Sequence, residues 1–97
     1  VSDLRFEWDP RKDSSNQRKH GVSFPEAKTV FEDNFARLIP DPDHSEGEER
    51  CILMGMSEKQ RLLLVGHCER PGEIIRIFSA REANRLERKQ YEEFTHA

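Results

Sequence analysis

Basic and imidazole side chains gather at the ends of segments in this chain. Lys19 and His20 stand immediately before Gly21, Arg50 and His67 flank two apolar runs, and Arg76, Arg81, Arg85 and Arg88 follow one another through the C-terminal quarter. The chemistry open to such a set is phosphodiester cleavage without a metal. That reaction needs a base for a ribose 2′-hydroxyl, cations for the charge on the pentavalent phosphorane, and an acid for the departing 5′-oxygen. Histidine serves as acid or base near neutral pH, and arginine grips phosphate oxygens through a fork of donors without losing its proton. No GxGxxG, Walker loop, HExxH, GxSxG or CxxC occurs, so nucleotide cofactors, zinc proteases and serine hydrolases have no support. The spacing of Cys51 and Cys68 matches no zinc motif, and no metal site or cofactor is expected.

Each of these residues also has a plain structural reading. Lys19 and His20 suit the negative end of a helix dipole, and both readings stand for them. His67 fits an ordinary strand-end residue better than a catalytic one. Arg76 is different, because it interrupts Ile74, Ile75, Ile77 and Phe78, and a charge there must face solvent, a partner or a ligand. Arg81, Arg85 and Arg88 fall at i, i+4 and i+7, the spacing of a solvated helical face paired with glutamates. Arg81 would oppose the dipole at a helix N-terminus, which asks for a further reason. Tyr91 has a core role open to it as well as contact with a substrate.

The elements that must position these groups are legible in part. Leu4, Phe6 and Trp8 alternate with charged residues, a short strand with one apolar face. Asp9-Pro10 opens a strongly polar helix that Gly21 stops after His20. Ser23-Phe24-Pro25-Glu26 is a capping box for a second helix, whose Phe24, Ala27, Val30 and Phe31 recur at helical spacing as far as Asp33. Phe35 to Ile39 reads as a strand stopped by Pro40, and the acidic stretch 41–49 as a loop. Cys51 to Met56 and Arg61 to His67 form a hairpin closed by Ser57-Glu58-Lys59-Gln60, with both faces apolar as in covered inner strands. Symmetric closure sets Cys51 opposite Gly66 and Arg50 beside His67 on one face, with the two thiols reduced and too far apart to bridge. A last strand, Glu73 to Phe78, precedes a second capping box, Ser79-Ala80-Arg81-Glu82, and a C-terminal helix reaching about Phe94.

The expected architecture is therefore α+β: a mostly antiparallel sheet with two N-terminal helices and one C-terminal helix, in the order β-α-α-β-β-β-β-α. Ninety-seven residues make one domain, 1–97. Apolar residues are 34% and charged residues 36% of the chain, so the core is thin and a protein partner would help to stabilise it. No apolar run suits a membrane span and no secretion signal opens the sequence, which sets the cytoplasm as the expected location. The net charge of -3 conceals an acidic excess in residues 23–50 and a mildly basic remainder. Binding to nucleic acid would have to be local, and a stand-alone DNA-binding protein is disfavoured.

Taken together, Phe6-Glu7-Trp8-Asp9-Pro10, then Lys12, Asn16, Lys19-His20-Gly21-Val22-Ser23-Phe24 and Glu26-Ala27, then Val30-Phe31, and finally Arg76-Ile77-Phe78-Ser79-Ala80-Arg81 with Glu87-Arg88 and Tyr91-Glu92 resemble the BrnT family of toxins. The resemblance spans essentially the whole chain in order. It implies a RelE-like endoribonuclease of a type II toxin-antitoxin system, needing no metal, that cuts RNA and so inhibits translation. It implies restraint in a hetero-oligomer with a BrnA-type antitoxin, which binds operator DNA through its own domain so that the complex represses the operon. Carried over position by position, Lys19, His20, Arg50, Arg76 and Arg81 are the expected catalytic group, with Arg85, Arg88, Tyr91 and His67 as RNA contacts. The hairpin departs from the commonest family pattern, because Ser57-Glu58-Lys59-Gln60 lacks the usual Gly. A non-catalytic co-repressor subunit of such a complex is the alternative function.

Overall fold

Capping signals in the first third of the chain translate directly into structure. The computed structural model describes residues 4–40 and 50–95, so the acidic stretch read as a loop, 41–49, lies outside the described residues. The elements are β1 (Arg5–Glu7), α1 (Pro10–His20), α2 (Phe24–Thr29), a 3-10 turn (Val30–Glu32), β2 (Arg37–Pro40), β3 (Arg50–Met56), β4 (Leu62–Arg70), β5 (Ile74–Glu82) and α3 (Arg85–Thr95). The α+β class holds, with the 3-10 turn added to the expected succession. Asp9 accepts a hydrogen bond from the Arg11 amide at 2.8 Å, Pro10 fills the first turn, and Gly21 closes α1 in the left-handed region at φ 68°. Ser23 accepts from the Glu26 amide at 3.2 Å. The reciprocal half of that box is replaced, because the Glu26 carboxylate is drawn to Arg61 and to the Ser57 hydroxyl.

Five strands form one sheet in the order β1-β5-β4-β3-β2, antiparallel except for β1 beside β5. The segment running through α2 covers one face: Val22, Phe24, Ala27 and Val30 pack on Leu63, Val65, Ile75 and Ile77, with Phe6, Trp8 and Phe31 at the margin. On the opposite face Tyr91 of α3 packs with Met54, Leu62 and Leu64. The polar helix α1 is held differently. Because β1 pairs only with Ile74 to Arg76, the far half of the β5 edge lacks a neighbouring strand among the described residues. The Asn16 side chain takes that place, donating to the carbonyls of Ala80 at 2.7 Å and Val22 at 2.8 Å and accepting from the Ala80 amide at 3.1 Å. One buried amide thus does for α1 what an apolar stripe does for most helices.

Two expectations need correction. The hairpin closes with one residue more than expected: Gln60 takes the left-handed conformation (φ 61°), its N–H bonds the Ser57 carbonyl at 2.9 Å, and the Ser57 N–H bonds the Arg61 carbonyl at 2.9 Å. Gln60 stands in the bulge position that glycine usually fills. Cys51 therefore faces His67 and Arg50 faces Cys68, which moves Arg50 and His67 to opposite faces. The two thiols stay unbridged.

The second correction concerns residues 79–82. They are not a helix cap but the end of β5, paired with β4 through Val65–Ala80, Leu64–Arg81 and Leu63–Glu82. The working box lies five residues later, where Asn84 Oδ1 accepts from the Glu87 amide at 2.8 Å and Glu87 Oε1 from the Asn84 amide at 2.9 Å. Two segments carried box spacing, and pairing with β4 and Asn16 claimed the first. Arg81 is consequently a strand residue and does not share the helical stripe of Arg85 and Arg88.

Candidate functional site

Residues opposed across a sheet share a face, so the register decides which basic groups meet. Arg50, Cys68, Arg76 and Glu7 form one row across β3, β4, β5 and β1. Two strand spacings set the Arg50 and Arg76 backbones about 10 Å apart. The Arg50 guanidinium lies 4.6 Å from the centroid of the Phe78 ring, a cation–π contact. Arg76 Nη1 donates to Glu7 Oε2 at 2.9 Å, and Arg70 Nε approaches the same oxygen at 3.3 Å. Glu7 thereby orients two arginines while their side chains stay partly open to solvent.

Two residues further along the strands the next row is Ile52, Gly66 and Ser79, followed by Leu64 and Arg81. A bulge separates the rows: Gly66 faces Ser79 and His67 faces Ile77, so Phe78 has no opposite number. Phe78 and Ser79 both crowd Gly66, where a Cβ would collide with the Ser79 hydroxyl and sit 2.9 Å from Phe78 Cε1. Beside this contact lies a recess of about 230 Å³, lined by His20, Ile52, Leu64, Gly66, Ser79, Ala80 and Arg81. His20 reaches it from the end of α1, because Asn16 pins that helix to the β5 edge. Arg81 is held by a two-pronged ion pair with Glu87, Nη1 to Oε1 at 2.9 Å and Nη2 to Oε2 at 2.8 Å. The hydrogen bonds from Arg81 hold the Glu87 carboxyl below the usual carboxylate range.

The structure thus gathers His20, Arg50, Arg76 and Arg81 on one sheet face. Lys19 is exposed beside His20 without lining the recess, and Arg85 and Arg88 are exposed on α3. His67 is elsewhere: it is 4% exposed on the α2 side, edge-on to Phe31 at 4.9 Å, and burial pushes its pKa down. Tyr91 is buried too, donating to Asp33 Oδ2 at 2.6 Å, and burial together with that carboxylate pushes its pKa up to about 12. Arg61 is occupied by Glu26 and Glu82. Glu7, Phe78, Ser79 and Gly66 joined the site without having been singled out. The signal for Gly66 was a glycine inside an apolar strand, which marks close approach. Among the described residues no three His, Cys, Asp or Glu side chains cluster to hold a metal ion.

The family described as "Ribonuclease toxin, BrnT, of type II toxin-antitoxin system" matches residues 8–87. Among solved structures, the crystal structure of the Brucella abortus ribonuclease toxin BrnT is similar, with a TM-score of 0.66 and 20% identity over 84% of this chain and 99% of that one. At that identity the likeness shows the fold. No curated protein matches this chain.

Proposed function

Because this chain belongs to the BrnT family of ribonuclease toxins of type II toxin-antitoxin systems, we propose that it is a metal-independent endoribonuclease whose chemistry takes place on the open sheet face. The observation that carries the reading is the convergence of an imidazole and three guanidinium groups on that face, from three different elements, α1, β3 and β5. RNA lies along the strands. His20 moves the proton at the scissile phosphate, Arg81 neutralises the phosphorane, and Arg50 and Arg76 hold the adjoining backbone phosphate. Lys19 adds charge beside His20, and Arg85 and Arg88 contact RNA further out. The donor set supports cleavage without a metal, since the carboxylates beside these cations, Glu7 and Glu87, are engaged by arginines.

The single domain acts in the cytoplasm, inhibits translation, and is neutralised by a BrnA-type antitoxin with which it co-represses its operon. The type II family supports the antitoxin, and no helix among the described residues is long and apolar enough to cross a membrane. The test is cleavage of RNA by the purified chain in excess chelator, alongside growth arrest on expression. Wild type should cut and arrest, while His20→Ala and Arg76→Ala should do neither yet still bind antitoxin. Cleavage at wild-type rates by both variants would remove this face from the mechanism.

A further inference from the structure

We infer that the recess beside the arginine row is a nucleobase subsite, with Ile52, Leu64 and Gly66 as its floor and Ser79 and Arg81 as its polar rim. The inference rests on the reading of this face as the RNA site and adds what the sheet does with the base. Its first support is the character of the floor. An electrostatic site for the backbone alone has no use for an apolar depression of about 230 Å³, whereas every base has an apolar π-face that settles on such a surface. Gly66 lacks the Cβ that would meet the Ser79 hydroxyl and the Phe78 ring, so these two side chains pack down against the strand at the edge of the recess.

Position is the second support. The Gly66 row lies two residues from the Arg50–Arg76 row, about 7 Å along the strands. A nucleotide whose phosphate sits on those arginines can therefore set its base in the recess over Ile52 and Leu64, beside Ser79, with His20 on the far rim. The third support is the polar rim. The Ser79 hydroxyl is exposed and both donates and accepts, so it can meet the edge of a base. Arg81 is locked by Glu87, which makes that wall rigid before any ligand arrives.

Amide chemical shifts followed by NMR test this without requiring turnover. The probes are the four 3′-nucleoside monophosphates, with ribose 5-phosphate as the ligand lacking a base. The nucleotides should shift Gly66, Ser79 and Arg81 as well as Cys68 and Arg76, and bind about tenfold more tightly than ribose 5-phosphate, which should shift only the arginine row. Ser79→Leu fills the recess and should erase the tenfold advantage while leaving ribose 5-phosphate unaffected. Equal affinity for both kinds of ligand, or shifts confined to the arginine row, overturns the subsite and leaves the phosphate row standing. Shifts at Gly66 and Ser79 with none at Cys68 and Arg76 support the subsite and count against the phosphate row. Silence at both rows overturns both. The wild-type comparison decides the matter whether or not the variant folds.

Discussion

A single buried amide ties α1, and with it His20, to the sheet. Asn16 satisfies both ladder groups of Ala80 and the carbonyl of Val22, and the rest of the helix buries nothing. Asn16→Ala would strand those groups away from water, a loss of about 2–4 kcal/mol. Urea denaturation measures it, and a change under about 0.5 kcal/mol would mean that α1 is held by something other than this amide. On the opposite rim, Arg76→Ala loosens the hold on the adjoining backbone phosphate and should lower kcat/KM about 100-fold. Glu7→Gln keeps the shape, loses the charge that aims Arg76, and should cost about tenfold. An equal loss in both variants would instead make Glu7 a direct participant. Arg76 was legible as a functional residue because a charge within an apolar strand has few places to go. For His67 and Tyr91 the plain readings, a strand-end residue and a core residue, describe their burial, but their distance from the face depends on register and packing, which no single residue announces.

At the scale of elements, α3 is tied down by a few polar contacts over a small apolar patch. Tyr91 is its buried anchor, while Leu86 and Phe94 remain 64% and 50% exposed. The anchor is titratable. Burial, and then the hydrogen bond to Asp33, raise the Tyr91 pKa to about 12 from its ordinary value. A folded-state pKa raised in this way contributes stability that is fully present below about pH 10 and is lost as the pH climbs through 12. Tyr91 is the sole tyrosine, so its phenolate absorbance reports this one group. The native midpoint should lie near 12, and Asp33→Asn should bring it down; a midpoint near 10 in the wild type would mean that α3 is not docked as described. The same scale shows why the element order was readable and the register was not. Asp9, Gly21 and Ser23 act through neighbours a few residues away, so their signals survive in the sequence. The hairpin turned on Gln60 adopting a glycine-like conformation, and the start of α3 on which of two boxes the sheet left free. Contacts distant in sequence bear on both: Glu26 and Thr29 hold Ser57, Glu58 and Arg61 of the turn, and β4 pairs with the first box.

The whole molecule carries a net charge of -3, so attraction to RNA must come from the one face where cations are concentrated. This has a measurable signature. Each phosphate neutralised on a single strand contributes a slope of about -0.7 to log K against log salt, so the phosphate held by Arg50 and Arg76 and the one at Arg81 together predict about -1.4. Raising salt from about 50 to 200 mM should then weaken binding roughly sevenfold. Fluorescence anisotropy with a labelled single-stranded RNA measures this, in a His20→Ala background that prevents cutting. Adding Arg76→Ala should make the slope shallower, by up to about 0.7, since the phosphate shared with Arg50 loses one of its two cations, and lower the affinity most at low salt. A fall in affinity with an unchanged slope would assign Arg76 a role in shaping the sheet face rather than in gripping the backbone. A slope much steeper than about -1.4 would draw Lys19, Arg85 and Arg88 into the contact. The acidic remainder of the surface sharpens the comparison, because it offers RNA no diffuse attraction that could mask the loss of a single arginine.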